Sequence, residues 1–353
     1  MSESILVKEP PATILLIKLG AIGDLVMVSA FMETLRKTYP RARVTLLTGR
    51  SCAFVHEHNP CVDERVVVDD GKIYRGKLGE RLRETWRMLG LMRRGFDRVY
   101  VLHRAWQFNA LAFLAAIPDR VGYARGGEGA GLTLKVVPQP GRNEREIYLD
   151  LLRAHGVRAD HAGTRYYLSP EEDRFLAGFL VEHGIADAEC VVGFGPGGGD
   201  NVKSHMPTRR WPVENFARLA RVLADEGRRV LIFGGPKDAE LAKEIRTAVP
   251  SCVDATPLSV GRMASVFRRC RLYVGNDSGP LHIADAMGVP TLGLFGPTDP
   301  RVQAPLSAGH TTIYKKVACS PCFDNGKFPD CSHIECLRTI AVEEVLAHAR
   351  TAL

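Results

Sequence analysis

Two glycine-and-acid turns hold the groups best suited to chemistry on an anionic substrate. The first is Leu19-Gly20-Ala21-Ile22-Gly23-Asp24, between an apolar run from Thr13 to Lys18 and a helical segment from Leu25 to Thr38. A helix dipole favours the carboxylate form of an aspartate at its N-terminus. Such a carboxylate at the mouth of a cleft can take a proton from a hydroxyl group, or it can act as an N-cap. The second turn is Gly275-Asn276-Asp277-Ser278-Gly279-Pro280, which opens a helix through Leu281 and His282. Free N–H groups in the first turn of a helix attract an anion. Here Asp277 or Ser278 serves as cap and Pro280 fits the first turn. Ser278 adds a hydroxyl, Gly279 lets a phosphate approach closely, and His282 can donate to a second phosphate.

Weaker signals of the same kind lie upstream. Gly197, Gly198 and Gly199 form a glycine-rich loop after the apolar run Cys190 to Phe194, and Thr208 and Arg209 follow with a hydroxyl and a forked guanidinium. His103 and Arg104 stand just past the apolar run Arg98 to Leu102, where Arg104 can clamp a carboxylate or phosphate or join an ion pair. Arg125 lies in a basic, glycine-rich stretch to Gly131, read as an acceptor-side loop.

These groups need elements to place them at one cleft. Strand-like runs alternate with helical ones in both halves, which predicts α/β architecture with parallel sheets. Ligands bind such sheets at the carboxyl ends of the strands, where all of these turns fall. Residues 156–169 read as a linker, so 1–165 and 166–341 are expected to be two Rossmann-like domains, with 342–353 a terminal helix. The first turn is not a dinucleotide fingerprint: the GxGxxG spacing is missing, and Gly49-Arg50 stands where a ribose-binding acid is expected. That counts against an NAD dehydrogenase. Leu78, Leu82, Trp86 and Leu89 recur at helical spacing in a strongly basic segment, and the leucines are expected in the core. The arginines among them are candidates for facing acceptor phosphates or a bilayer surface.

Composition narrows the partners. The chain has 353 residues and a net charge of +7. Residues 1–165 carry 26 Lys and Arg against 18 Asp and Glu, a net of +8, and the remainder 21 against 22, a net of −1. A basic excess confined to one half suggests an anionic partner there. No nucleic-acid motif is present. No apolar run has the length of a membrane span, and the polar, proline-broken start is not a signal peptide, so a cytoplasmic location is expected. Cys319, Cys322, Cys331 and Cys336 fall within 18 residues. In a reducing compartment they suggest a structural zinc or iron site, with His333 as a substitute ligand, or a packing feature.

Three stretches are more specific than their parts: IKLGAIGDLVMVSAFMETLRKTYPRARVTLLT, MPTRRWPVENFARLA and VGNDSGPLHIADAMGVPTLGLFGPTDP. They resemble glycosyltransferase family 9, the bacterial heptosyltransferases that use ADP-heptose to build the lipopolysaccharide inner core. The resemblance implies a GT-B architecture, with the N-terminal half binding acceptor and the C-terminal half binding donor. It implies that Asp24, after Gly23, is the general base of an inverting transfer to a Kdo or heptose acceptor, with no cofactor required. It implies that Asp277, Ser278, Gly279 and His282 hold the donor diphosphate. Arg209 takes the place of a phosphate-binding lysine, Asp238 (or Glu240) that of a ribose-binding acid, and Leu258 a place against adenine. It also implies that the terminal helix crosses back to the first domain. The expected partners are an ADP-heptose donor, an anionic glycolipid acceptor and the cytoplasmic face of the membrane, with a monomeric chain and no nucleic acid. Rival readings are another sugar-nucleotide transferase or epimerase, a non-catalytic ADP-sugar binder, and a nucleic-acid binder acting through the basic half.

Overall fold

A computed structural model describes residues 10–124, 129–160, 163–198, 206–323 and 330–353. The alternation of apolar runs and amphipathic segments gives two six-stranded sheets, parallel throughout. The first contains β1 (Thr13–Ile17), β2 (Arg43–Gly49), β3 (Glu64–Val68), β4 (Arg98–Val101), β5 (Asp119–Tyr123) and β6 (Leu134–Val136), in the order β3-β2-β1-β4-β5-β6. The second contains β7 (Val191–Gly195), β8 (Arg229–Ile232), β9 (Val253–Asp254), β10 (Leu272–Asn276), β11 (Thr291–Phe295) and β12 (His310–Tyr314), in the order β12-β11-β10-β7-β8-β9. Both are doubly wound. Strand order reverses between β1 and β4 in one sheet and between β7 and β10 in the other, which opens a crevice at each switch point. The central strands read as unbroken apolar runs because both faces are covered. Leu16 lies between Leu46 and Tyr100, and Val274 between Phe194 and Leu292.

The helix after β1, α1 (Ile22–Thr38), sits between the two halves. It has an acid in its first turn and Arg36 and Lys37 in its last, matching the dipole at each end. Val28, Phe31, Met32 and Leu35 pack in the core of the first half, whereas Leu25 and Val26 join Leu281 and Ile283 in the core of the second. Polar contacts add to this seam. Asn143 Nδ2 donates to Ala304 O at 2.9 Å, Arg165 N to Ser29 Oγ at 2.8 Å, and Thr164 Oγ1 to Asp285 Oδ2 at 3.1 Å.

Two expectations are corrected. The terminal helix, Val342–Ala352, does not cross to the first half. Val342, Val345 and Ala349 are buried with Leu337, Ile340 and Trp211 in a core of the second half, because that apolar stripe completes the cover of the second sheet. The basic segment after β3 forms two helices, α2 (Asp70–Arg75) and α3 (Leu78–Met92). Of the three leucines of α3 expected in the core, only Leu89 is buried. Leu78, Leu82 and Trp86 are 71%, 52% and 67% exposed. The inner face is instead Glu84, Met88, Leu89 and Met92.

Candidate active site

The strand-to-helix turn after β1 places Asp24 in the first turn of α1. Lys18, one residue beyond β1, is buried and donates from Nζ to Asp24 Oδ2 at 2.8 Å and to the Tyr148 hydroxyl at 2.8 Å. Tyr148 comes from α5 (Glu144–Ala154). Burial opposes ionisation of Asp24, but the Lys18 ammonium, with Arg104 and His103 behind it, outweighs this and holds its pKa below the ordinary carboxylate value. Asp24 is therefore an ionised acceptor at neutral pH.

β4 ends beside it. His103 is buried, with Nε2 3.1 Å from the Tyr74 hydroxyl and its ring 4.8 Å from that of Phe108 at the start of α4 (Trp106–Leu114). Arg104 donates to Glu144 Oε1, so it is a member of an ion pair. Burial pushes the Glu144 carboxyl up; Arg104 offsets part of that and Asp24 adds to it. Lys18, Asp24, Arg104 and Glu144 thus form one network of alternating charge. Of these, Lys18 and Glu144 are not singled out by the sequence, and neither is Tyr148, which lies 130 residues from its partner Lys18.

The second half supplies the glycine turns. Ser278 occupies the cap position of α10 (Gly279–Ala286) but makes no side-chain capping bond, against the expected cap. Its backbone is extended, and the adjoining loop from β7 crowds it: a Cβ on Gly198 would stand 2.9 Å from Ser278 Cβ, and the φ of Gly198 is +118°. Only glycine fits both conditions. A Cβ on Gly197 would likewise collide with the Asp238 carboxylate. Asp238 Oδ2 accepts from Gly235 N at 2.9 Å, and its Oδ1 lies 3.7 Å from an Arg210 nitrogen. Arg210 also donates from Nε to Gly198 O at 2.9 Å. Asn276 ties the loop down from below. Its Nδ2 donates to Pro196 O at 2.9 Å and Gly197 O at 3.0 Å, and its Oδ1 accepts from Trp211 N at 2.9 Å. Arg210 and Asn276 are additional functional candidates. The pair Arg209-Arg210 and the Asn preceding Asp277 were the available signals.

Asp277 is buried. It accepts from the Arg209 guanidinium and, at 2.6 Å, from Thr298 Oγ1. The two predicted residues are therefore brought together as an ion pair at the start of α10. His282 is buried one turn in; burial pushes its pKa down, with Asp277 and Asp285 countering only in part, so the ring is neutral at pH 7.

The two turns meet. A Cβ on Gly23 would lie 2.7 Å from His282 Cδ2, and one on Gly279 would lie 2.9 Å from Ile22 Cγ2. The N-termini of α1 and α10 approach at their glycines, which brings the Asp24 turn against the anion-attracting turn of the other half. Leu258 is half-buried beyond β9, packed on the second-half core. Thr208 lines a small cavity that it shares with Cys319, Cys322, Cys331, His333 and Cys336. Gly199 and Arg125 lie outside the described residues.

The cysteine cluster departs from the metal expectation. Cys331 Sγ is 3.7 Å from His333 Nδ1 and Cys319 Sγ is 4.0 Å from His333 Nε2. Even so, no group of three or more His, Cys, Asp or Glu among the described residues is arranged to hold a metal ion. Burial pushes the Cys336 thiol up to about 11, with the neighbouring cysteines adding to it, so it is protonated.

Two doubly wound halves whose switch-point loops face each other across a seam define the GT-B class. The chain belongs to glycosyltransferase family 9 (heptosyltransferase), whose model matches residues 85–333. It is 30% identical over 316 residues to lipopolysaccharide heptosyltransferase 2 of Salmonella typhimurium (strain LT2), covering 83% of this chain and 85% of the relative. The crystal structure of a glycosyl transferase family 9 protein from Veillonella parvula DSM 2008 superposes with a TM-score of 0.82 at 25% identity, covering 97% of both chains. The E. coli ADP-heptose lps heptosyltransferase II structure gives 0.75 at 23% identity, covering 96% of this chain and 98% of that one. The chain is a glycosyltransferase, and its relatives support heptose transfer in lipopolysaccharide core biosynthesis.

Proposed function

We propose that the enzyme transfers a heptose from ADP-heptose, with inversion, to a hydroxyl of an anionic inner-core glycolipid. The observation that carries this reading is the approach of Gly23 to His282, which sets an ionised aspartate of one half against the diphosphate-type turn of the other. The E. coli neighbour, an ADP-heptose lps heptosyltransferase, supports the donor. The first half binds acceptor, consistent with its basic excess, and the second binds donor.

In this mechanism Asp24 accepts the proton of the acceptor hydroxyl as that oxygen attacks the anomeric carbon. Its low pKa makes it a weak base in the free enzyme, so proton transfer accompanies attack. Lys18, itself held by the Tyr148 hydroxyl, fixes the carboxylate. Leaving-group charge on the ADP is met by the first-turn N–H groups of α10, by Ser278, and by Arg209 and Arg210 beside the Gly197–Gly198 loop. This is electrostatic stabilisation by groups already in place. Arg209 acts from its ion pair with Asp277, which fixes the guanidinium. Arg104 and His103 orient an anionic acceptor group, Asp238 takes the ribose, and Leu258 packs on adenine. The reading gives no step to a metal ion.

The donor assignment is tested by thermal shift with ADP, UDP, GDP and NAD, since a ligand specific for the folded state raises Tm. A rise with ADP alone is expected. A rise with UDP or GDP instead overturns the heptose donor while keeping the fold.

A further inference from the structure

The outward face of α3 has no role in the transfer and no cover among the described residues. Leu78, Leu82 and Trp86 recur every four residues and form one exposed stripe, opposite the buried Glu84, Met88 and Met92. Trp106, at the start of the neighbouring α4, is also more than half exposed. Isolated exposed leucines are ordinary, but an aligned stripe of two leucines and a tryptophan is not. Arg81 and Arg83 flank the stripe on either side, Lys77 and Arg75 precede it, and all four are exposed. Among the described residues, none of these four side chains is in an ion pair, whereas Arg87 on the inner edge is paired with Glu84.

We infer that this face is a docking surface for an anionic lipid bilayer. The inference rests on the reading that the acceptor is an anionic glycolipid. An amphipathic helix with Trp and Leu on one face, edged by arginines, lies in a membrane interface with its apolar side in the headgroup boundary. Tryptophan is favoured at that depth, and each basic residue near an anionic surface adds attraction. A second copy of the chain fits poorly, because a symmetric contact would set unpaired arginines against arginines. The location suits the role. α2 ends at Arg75, one residue after the Tyr74 whose hydroxyl meets His103, and Trp106 follows Arg104 by two residues. A bilayer seated on α3 therefore lies beside the acceptor-side groups, where a lipid-anchored sugar need not leave the membrane to reach the cleft.

The test is co-sedimentation of the full chain with vesicles of phosphatidylethanolamine and phosphatidylglycerol, with phosphatidylcholine vesicles as the neutral control. Binding is measured without sugar nucleotide, so its failure is separate from failure of the donor reading, which is scored by the ADP thermal shift without lipid. The wild type should bind the anionic vesicles and bind the neutral ones at least tenfold less. Arg81→Gln with Arg83→Gln should weaken binding about 25-fold, from about fivefold per basic residue. Leu82→Ser with Trp86→Ser should weaken it at least tenfold while keeping the wild-type Tm and ADP shift. Three results would overturn the inference: no binding to anionic vesicles, binding unchanged in both variants, or a dimer in sedimentation velocity that Leu82→Ser with Trp86→Ser dissolves. Tighter binding to a single-stranded DNA oligonucleotide than to the vesicles would also overturn it.

Discussion

Gly23→Ala should cost activity far more than stability. The added Cβ would stand 2.7 Å from His282 Cδ2 and 3.2 Å from His282 Nε2. Carbon pairs in contact sit at about 3.5–4.0 Å, so the overlap is about 1 Å. The His282 ring is buried and cannot swing out to solvent. Relief must come from the seam itself, by separation of the N-termini of α1 and α10. Overpacking of this kind costs about 1–3 kcal/mol, and alanine in place of glycine in a helix returns about 1 kcal/mol. The net loss of stability is then about 0–2 kcal/mol. A displacement of about 1 Å between base and leaving-group site, however, costs on the order of 100-fold in rate. The assay is steady-state transfer from ADP-heptose, with urea unfolding as the stability control. Gly279→Ala presses on the same seam from the other side, with its Cβ 2.9 Å from Ile22 Cγ2 and 3.0 Å from Ile22 Cβ; a β-branched root cannot turn aside, so its loss should also be on the order of 100-fold. Wild-type kcat/KM in Gly23→Ala would refute the claim that this contact sets the catalytic spacing.

Other consequences follow from the charge network. Asp277→Ala strands Arg209, half of an ion pair with both partners largely buried, and should cost about 3–5 kcal/mol in urea unfolding. The double variant with Arg209→Leu should lose less than the sum of the two single variants, as a double-mutant cycle would show. Lys18→Met leaves the half-buried Asp24 without its ammonium, so Asp24 titrates at higher pH and the acidic limb of kcat/KM moves upward. In the wild type the folded-state pKa of Asp24 lies below its ordinary 3.8. Its contribution to stability is therefore complete above that pH and lost as pH falls through the folded value. Lys18→Met should weaken that acid dependence, checked by urea unfolding at neutral and acidic pH. Trp211→Phe removes the Nε1 donor to Ile340 O at 3.0 Å and leaves a buried carbonyl unpaired, for a loss of about 1–3 kcal/mol in the same assay.

What the sequence reveals here is local. The turns at Gly23-Asp24 and Ser278-Gly279 declare themselves because strand, glycine and helix start lie within a few residues. The parallel central strands are equally plain as unbroken apolar runs. Partners from distant segments are hidden. Nothing near Lys18 announces Tyr148, and Arg104 finds Glu144 only because β4 and α5 converge in the folded chain. The short edge strands β6 and β9, of three and two residues, carry no periodicity of their own. The stripe Leu78, Leu82, Trp86 has the spacing of a core face, and spacing cannot say which side of a helix meets the sheet. Met88 and Met92, one half-turn away, make that contact. The resemblance alone puts the terminal helix on the first half; its apolar stripe does not name a half, and the uncovered face of the second sheet takes it.

The most direct test of the central claim is transfer from ADP-heptose by Asp24→Asn, with the ADP thermal shift measured on the same preparation. Asparagine keeps the size and can still accept from Lys18, but it cannot take a proton. The account predicts turnover reduced by at least about 100-fold, the scale of a lost general base, with an ADP shift equal to wild type. Turnover within about tenfold of wild type would contradict it, remove Asp24 as the base, and turn attention to the raised-pKa carboxyl of Glu144 through Glu144→Gln.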